Sequence, residues 1–498
     1  MQLQFDKAAL PIMKSVKREI KNIEQTQELR INDGMPDIGR VLGAWGQVIL
    51  RTKEWQHDSA SVNGGVQVSV LYVPEDGGEV QMVETWIPFQ AKWELPETDA
   101  EGTACVSCLL RSADARNTSS RKVLVRVNVG VCGQMWEPSE LWQYTPSALP
   151  EDICLLKQTR SLKILREAGE KSFSLEEELA LPGSAPKMAK LLYYYLQPEL
   201  IEQKIMSDKV VFRGIGLLHI LYRGEDDQLH TWDFELPFSQ YGELSREYEQ
   251  GAMAKIIMAV TSLEAEPDVE DRIQLRAGLV GQYLLCQDTQ IETVDDVYSP
   301  RRQAVPMMEN MHLFTIEDTL RQTVPAEQTI QSQGMPIDTS FCPDHPHSQQ
   351  IGGNTVLQMP GQFQVLFRDD EGQCRTAVTR WEGQCLATEG DTQQVMAYVN
   401  ATGKTRCVTD GTGMTMGAEI LADLMIGSQQ EIPVVVGVDM AELAEPDPER
   451  PSLILRRAGQ DSLWKMAKSS GSTVEAIMDA NQLETQPNPD RMLLIPVL

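Results

Sequence analysis

Cys342, His345 and His347 place one thiol and two imidazoles within six residues, donor types that suit a zinc ion, with Asp344 or a water as a fourth ligand. Pro343 and Pro346 interrupt the same run and favour a loop whose histidines face solvent, so both readings stay open. Gly403-Lys404-Thr405 has the closing residues of a phosphate-binding loop, yet that motif needs glycine five positions before Gly403 and Tyr398 stands there. A hairpin turn is the expected reading. Gly411-Thr412-Gly413-Met414-Thr415-Met416-Gly417 misses the dinucleotide fingerprint by one residue and reads as a turn. Cys105-Val106-Ser107-Cys108 is a single Cys-x-x-Cys with no second pair, which predicts strand packing rather than redox or metal chemistry. Neither His-Glu-x-x-His nor Gly-x-Ser-x-Gly occurs, and six histidines leave little room for a histidine-based active site. No catalytic residue, no resident metal and no cofactor is expected, and the chain reads as non-enzymatic.

The elements that would position any site must come from several cores, because 498 residues exceed one ordinary domain. Apolar residues at 42% and charged residues at 23% give a globular balance. With 44 basic against 72 acidic side chains the net charge is −28, a field that repels nucleic acid and anionic membranes. No window approaches the roughly 18 apolar residues of a membrane helix. The start, Met1-Gln-Leu-Gln-Phe-Asp-Lys7, lacks the basic and apolar regions of an export signal, which predicts a cytoplasmic protein. Nine cysteines, an odd and scattered set, predict reduced thiols.

Comparing the chain with itself exposes a repeat. Pro36-Asp-Ile-Gly-Arg-Val-Leu42 recurs as Pro186-Lys-Met-Ala-Lys-Leu-Leu192, an offset of 150, which also carries Leu71-Tyr72 onto Leu221-Tyr222. The alternating Val123, Val125, Val127 and Val129 fall on Ile273, Leu275, Ala277 and Leu279. A divergent third copy is expected around Phe363–Phe367, with Trp381 fourteen residues after Phe367 as Trp86 is after Tyr72. Period-two patterns such as Val66, Val68, Val70, followed by the turn Glu75-Asp-Gly-Gly78, predict antiparallel hairpins in β-rich, sandwich-like units. Helices are expected only at Pro11–Gln27 and Leu244–Ile257 before the tail. Trp86, Trp93, Tyr193 to Tyr195, Trp232 and Trp381 are assigned mainly to core packing.

Glu442–Pro451 is an acidic, proline-rich spacer. Beyond it, Leu453–Arg457 and Met492–Pro496 predict strands. Asp461 is expected to cap a first helix from Ser462 to Gly471, and Ser472-Thr-Val-Glu475 has capping-box spacing for a second helix through Asn481. Five basic and five acidic residues cancel in this tail, so the whole −28 lies before it.

The tail resembles a LysM domain through Gly459, Asp461-Ser462-Leu463-Trp464, Met466-Ala467, Thr473-Val474, Ile477, Asn481, Leu483 and Leu494-Ile495-Pro496. That resemblance implies a shallow groove for N-acetylglucosamine-containing glycans, here formed by Gly459, Gln460, Asp461, Ser462 and Trp464 against Asn481, Gln482 and Leu483. Gln460, inserted between Gly459 and Asp461, and Asp490, standing in place of glycine, depart from the family pattern. The repeats are similar to SPOCS domains in Met35-Pro-Asp-Ile-Gly-Arg-Val-Leu42, Val66–Tyr72, Glu84–Phe89 and Asp295-Asp-Val-Tyr-Ser-Pro300. The expected layout is therefore SPOCS-like repeats at 1–163, 164–310 and 311–441, a linker at 442–452 and a LysM domain at 453–498. Tandem SPOCS domains with a LysM tail resemble clostridial coat morphogenetic proteins of sporulation. The resemblance implies a scaffold in the mother-cell cytoplasm at the forespore surface, its partners a coat-basement ATPase and other coat proteins. Peptidoglycan or cortex glycan is the alternative partner.

Overall fold

The computed structural model describes all residues except 98–100, 250, 269–271, 391–393, 411–412 and 444–448. The first repeat holds β1 (Gln2–Gln4), β2 (Asp6–Arg30), β3 (Ile38–Gln56), β4 (Ser59–Pro74), β5 (Gln81–Glu94), β6 (Thr103–Ser119) and β7 (Lys122–Thr145). The second holds β8 (Cys154–Ala180), β9 (Met188–Met206), β10 (Lys209–Gly224), β11 (Leu229–Glu243), β12 (Met253–Pro267) and β13 (Arg272–Tyr298). The third holds β14 (Ala304–Ile330), β15 (Met335–Pro343), β16 (His347–Ile351), β17 (Asn354–Arg368), β18 (Cys374–Glu389), β19 (Gln394–Asp410) and β20 (Gly413–Met440). The tail is β21 (Leu453–Arg457), α1 (Leu463–Ser470), α2 (Val474–Asn481) and β22 (Met492–Pro496). The chain is thus mainly β, with a small βααβ tail. Among the described residues no helix is long and apolar enough to cross a membrane.

Alternating β-branched residues drive each strand: Val123, Val125, Val127, Val129 and Val131 of β7 all point into one core and are fully buried or nearly so. Each repeat packs a three-stranded meander on a second sheet. The meanders are β3-β4-β5, β9-β10-β11 and β15-β17-β18, and the second sheets are β2-β7-β6, β8-β13-β12 and β14-β20-β19. The third repeat therefore shares the topology of the first two. The breaks between repeats fall at 146–153 and 299–303, whereas the boundaries expected at 163/164 and 310/311 lie inside β8 and β14.

Among the described residues neither helix expected before the tail is present. Pro11–Gln27 lies within β2, which pairs with β7 along its length and bulges at Val16 between Ser15 and Lys17. The bulge shifts the side-chain phase by one residue, so Leu10 and Ile12 face one core while Ile23 and Leu29 face another, and period two becomes invisible in the sequence. Bulges at Arg166 and Glu317 repeat it in β8 and β14. Of Leu244–Ile257, Met253–Ile257 belongs to β12, and the preceding loop plugs a core with Leu244 and Tyr248. Trp381 also departs from its expected match. It pairs with Gly361, as Ile87 does with Val66, and is buried, whereas Trp86 pairs with Gln67 and is half-exposed, a register offset of one residue.

The three repeats close around a pseudo-threefold axis. Leu71, Leu221 and Leu366, at matching positions, share one buried cluster. Trp136, Leu284 and Met425 share a second with Cys105, Ile257 and Tyr398, and Leu141, Ile291 and Ile432 share a third. Each fully buried large apolar side chain in these shared layers contributes roughly 1.5–3 kcal/mol, so the layers help hold the repeats together. A polar layer follows the same cycle. Gln134 of repeat one accepts from the Tyr398 hydroxyl of repeat three. Gln282 of repeat two exchanges hydrogen bonds with the Val106 backbone at 2.8 Å and accepts from Lys53 at 2.9 Å, both in repeat one. Asp423 of repeat three pairs with the buried Lys255 of repeat two. The short β1 pairs with β20, so the first residues tie repeat one to the end of repeat three.

Candidate functional site

The tail is built from local capping chemistry. Ser462, not Asp461, is the N-cap of α1, its hydroxyl accepting from the Lys465 amide at 3.3 Å. Asp461 instead pairs with Arg456 at 2.5 Å and Lys465 at 2.8 Å; the Lys465 ammonium, with Arg456 assisting, holds its carboxyl below the usual range against a burial effect that raises it. Gly471, at φ +62°, ends α1 as the sequence predicts. Thr473, one residue later than the predicted capping position, caps α2 through the Ala476 amide at 3.1 Å.

The two loops expected to form the groove do come together, but not through the residues expected to do it. Asn481 is consumed by structure: its amide donates to the Ile477 and Leu494 carbonyls at 2.7 and 2.6 Å and accepts from the Leu494 amide at 2.8 Å. Gln482 is the left-handed C-cap of α2 at φ +52°, and Leu483 packs against the tail core. Gln486, which sequence reasoning missed, bridges the loops by donating to the Asp461 carbonyl at 3.0 Å and accepting from the Leu463 amide at 3.3 Å. Gly459, at φ +61°, Gln460 and Ser462 remain exposed at the rim.

Trp464 faces the body of the protein. Its indole N–H donates to Asp296 at 2.8 Å, Lys468 reaches the same carboxylate at 2.7 Å, and the Tyr298 ring meets the indole edge-on at 4.7 Å. Tyr298 is 4% exposed and its hydroxyl donates to the Ser472 carbonyl at 3.0 Å, so the end of β13 completes the tail core. Burial pushes Asp296 up, yet the hydrogen bonds from Lys468 and Trp464 outweigh it and hold the carboxyl below its usual range. Arg302 fixes this end of the repeat through a two-pronged contact with Asp152 at 2.6 and 2.7 Å. The Asp295-Asp-Val-Tyr-Ser-Pro300 segment is thus the seat of the tail, a role its sequence gave no sign of.

With Trp464 turned inward, the tail presents its sheet. Alternation puts Leu453 and Leu455 of β21 beside Met492 and Leu494 of β22, with Leu455 directly opposite Leu494. Their exposures are 51%, 63%, 50% and 40%, on a face where sheets ordinarily carry polar residues.

Cys342, His345 and His347 do not converge, and among the described residues no three His, Cys, Asp or Glu side chains are placed to hold a metal. Pro343 and Pro346 instead break the strand that is continuous as β3 and β9 in the other repeats. The freed loop reaches into repeat one. His345 is buried there, contrary to the exposed loop reading, and its Nε2 donates to the Gly130 carbonyl at 3.1 Å while Asp344 pairs with Arg111 at 2.5 Å. Burial pushes His345 down to about 4 and the Cys342 thiol up to about 12. His347 is exposed at the start of β16. Burial likewise pushes Cys105 up to about 12, as befits a packing residue. Gly403-Lys404-Thr405 is a bulge within β19, not a hairpin turn, with Gly403 at φ +64° and no helix following. Of the glycine-rich run, 411 and 412 lie outside the described residues and the rest is strand β20.

The family model described as SipL, SPOCS domain matches residues 37–116 and 173–270. Both stretches run through the meander of their repeat to its β6 or β12 edge strand. No curated protein and no solved structure matches the chain.

Proposed function

We propose that this chain, which carries two SPOCS domains and so joins a family of sporulation proteins, is a non-enzymatic scaffold of spore-coat assembly. The three repeats form a closed body in the mother-cell cytoplasm that engages other coat proteins. The tail is a LysM-type module that docks to the coat-basement ATPase on the forespore surface. The observation that carries this reading is the orientation of the tail: Trp464 is spent on the body, and four exposed apolar side chains of β21 and β22 are turned outward. A surface of that kind suits protein contact. The glycan alternative draws less support, because the Asn481 amide is fully engaged and Gln486 already spans the loops that would grip a sugar.

The test is retention of the purified ATPase, and separately of purified peptidoglycan, by the immobilised full chain and by its Leu455→Glu/Leu494→Glu variant. Retention of the ATPase by the wild type and at least about a tenfold loss in the variant is expected, since both charges would sit in the contact. Retention of peptidoglycan alone would overturn the reading.

A further inference from the structure

Ser69, His219 and Gln364 occupy matching positions of β4, β10 and β17, and all three are buried polar residues next to the axis. Gln364 donates to the Ala44 carbonyl of repeat one at 3.3 Å, a contact that does not titrate. His219 is different. Its Nδ1 lies 2.6 Å from Asp233 of its own repeat, and its Nε2 lies 3.1 Å from the Asp338 carboxylate on β15 of repeat three. The carboxylate oxygen that Nε2 faces also accepts the Thr339 amide at 2.7 Å, while Nε2 itself and the other oxygen, Oδ2, are buried without a hydrogen-bond partner.

This spacing has a chemical consequence. A neutral imidazole that gives its single N–H to Asp233 has a lone pair at Nε2. At 3.1 Å from an ionised carboxylate that lone pair opposes another, in a buried site where the repulsion is weakly screened. One further proton, on Nε2 or on the carboxyl, turns the same approach into an attraction. We propose that His219 and Asp338 form a proton-dependent clasp between the second and third repeats, closed while that proton is present and loosened when it passes to solvent.

The groups around the clasp fit the assignment. Lys404, on the β19 bulge, lies 3.3 Å from Asp233 and helps keep that carboxylate ionised, so the extra proton is directed to the Asp338 side. Thr405 of the same bulge donates to the Thr339 carbonyl, which binds β19 to the clasp strand. Tyr195 on β9 stacks on the imidazole at 4.9 Å and Tyr193 lies at 6.0 Å; Cys407 on β19 lines the same space, and Cys342 on β15 faces Tyr195. Among these, burial pushes Asp338 up to about 7 despite the Thr339 amide, which lowers it. A folded-state value raised above the unfolded one gives stability that is full below the unfolded value, near 4, and lost as pH climbs to about 7. A cavity of about 170 Å³ beside the pair, lined by both repeats, supplies the route by which water would enter.

Hydrogen exchange of the full chain tests this, read on peptides covering β10 and β15 and corrected for the intrinsic pH dependence of exchange. Protection of those two strands is expected to fall by up to about tenfold per pH unit between about pH 4 and pH 7 and to level off above, with β4 unaffected. In Asp338→Asn the amide can donate to a neutral Nε2, so the decline should vanish. Selective 15N labelling of histidine gives a readout that needs no variant: the Nε2 signal of His219 should move as the Asp338 carboxyl beside it titrates across the same range. Flat protection in the wild type, an unchanged decline in Asp338→Asn, or a His219 signal insensitive to pH would each overturn the proposal.

Discussion

Replacing Trp464 with alanine should detach the tail while leaving it folded. The indole gives up a hydrogen bond to the ionised Asp296 and an edge contact with Tyr298. Hydrogen bonds to charged groups contribute about 1.5–3 kcal/mol and aromatic pairs about 0.5–1.5 kcal/mol, so the docking free energy should drop by about 2–4 kcal/mol. Lys468 still reaches Asp296, but with 41% of its side chain exposed it contributes at most about 1 kcal/mol. Detachment withdraws Tyr298 from the tail core, but its other buried members, among them Met466, Ala467, Ile477, Leu493 and Ile495, all belong to the tail, so the βααβ unit keeps most of its packing. Hydrogen exchange at 294–302 reads the seat and exchange within α1 and α2 reads the tail. A drop of 2–4 kcal/mol corresponds to about a thirtyfold to thousandfold weaker dock, which should expose the seat amides while those of the helices change far less. Leu455→Glu on the outward face should leave the seat protected. Unchanged protection at 294–302 in Trp464→Ala would refute the assignment of this contact as the anchor.

Two further substitutions separate buried seams from surface. His345→Ala leaves the Gly130 carbonyl without its buried donor and should lower stability by about 1–3 kcal/mol in thermal or urea unfolding, whereas His347→Ala, on an exposed strand, should fall within about 0.5 kcal/mol of wild type. Equal effects would contradict the placement of His345. Lys255→Met removes the partner of Asp423 and strands a carboxylate between repeats two and three, costing about 3–5 kcal/mol; the double variant Lys255→Met/Asp423→Leu should recover most of that loss, and failure to recover would show that the pair does more than satisfy its own burial.

Several of these features could be read from the sequence and others could not, for identifiable reasons. The offset of 150 and the valine alternation of β7 survive because each repeat must bury the same faces against itself. The helices were misread where a bulge or a plugging loop scrambles the phase, since apolar residues separated by a bulge no longer keep an even spacing. Capping slipped by one residue at each tail helix because Asp461 and Ser462, like Ser472 and Thr473, are adjacent residues that can both cap, and the surrounding structure decides between them. The seat of Trp464 lies 168 residues away and has no local signature at all.

The closed arrangement of repeats also explains why the third copy is the hardest to recognise. In a ring of three copies on one chain, each copy meets a different neighbour, so residues at matching positions are free to diverge as long as each satisfies its own contact. Gln282 and Asp423 hold one such position, where repeat one has Cys132, and face, respectively, a backbone amide with a lysine and a buried lysine. The third copy supplies polar groups to both of its seams: Asp344 and His345 toward repeat one, and Asp338, Lys404 and Asp423 toward repeat two. Its own core retains the apolar pattern in Val365 and Phe367, where all copies face the same environment. Divergence at seams and retained apolar character in cores is what a repeat bound into a closed body should show, and it leaves buried titratable groups such as Lys255, Asp338 and His345 between the repeats.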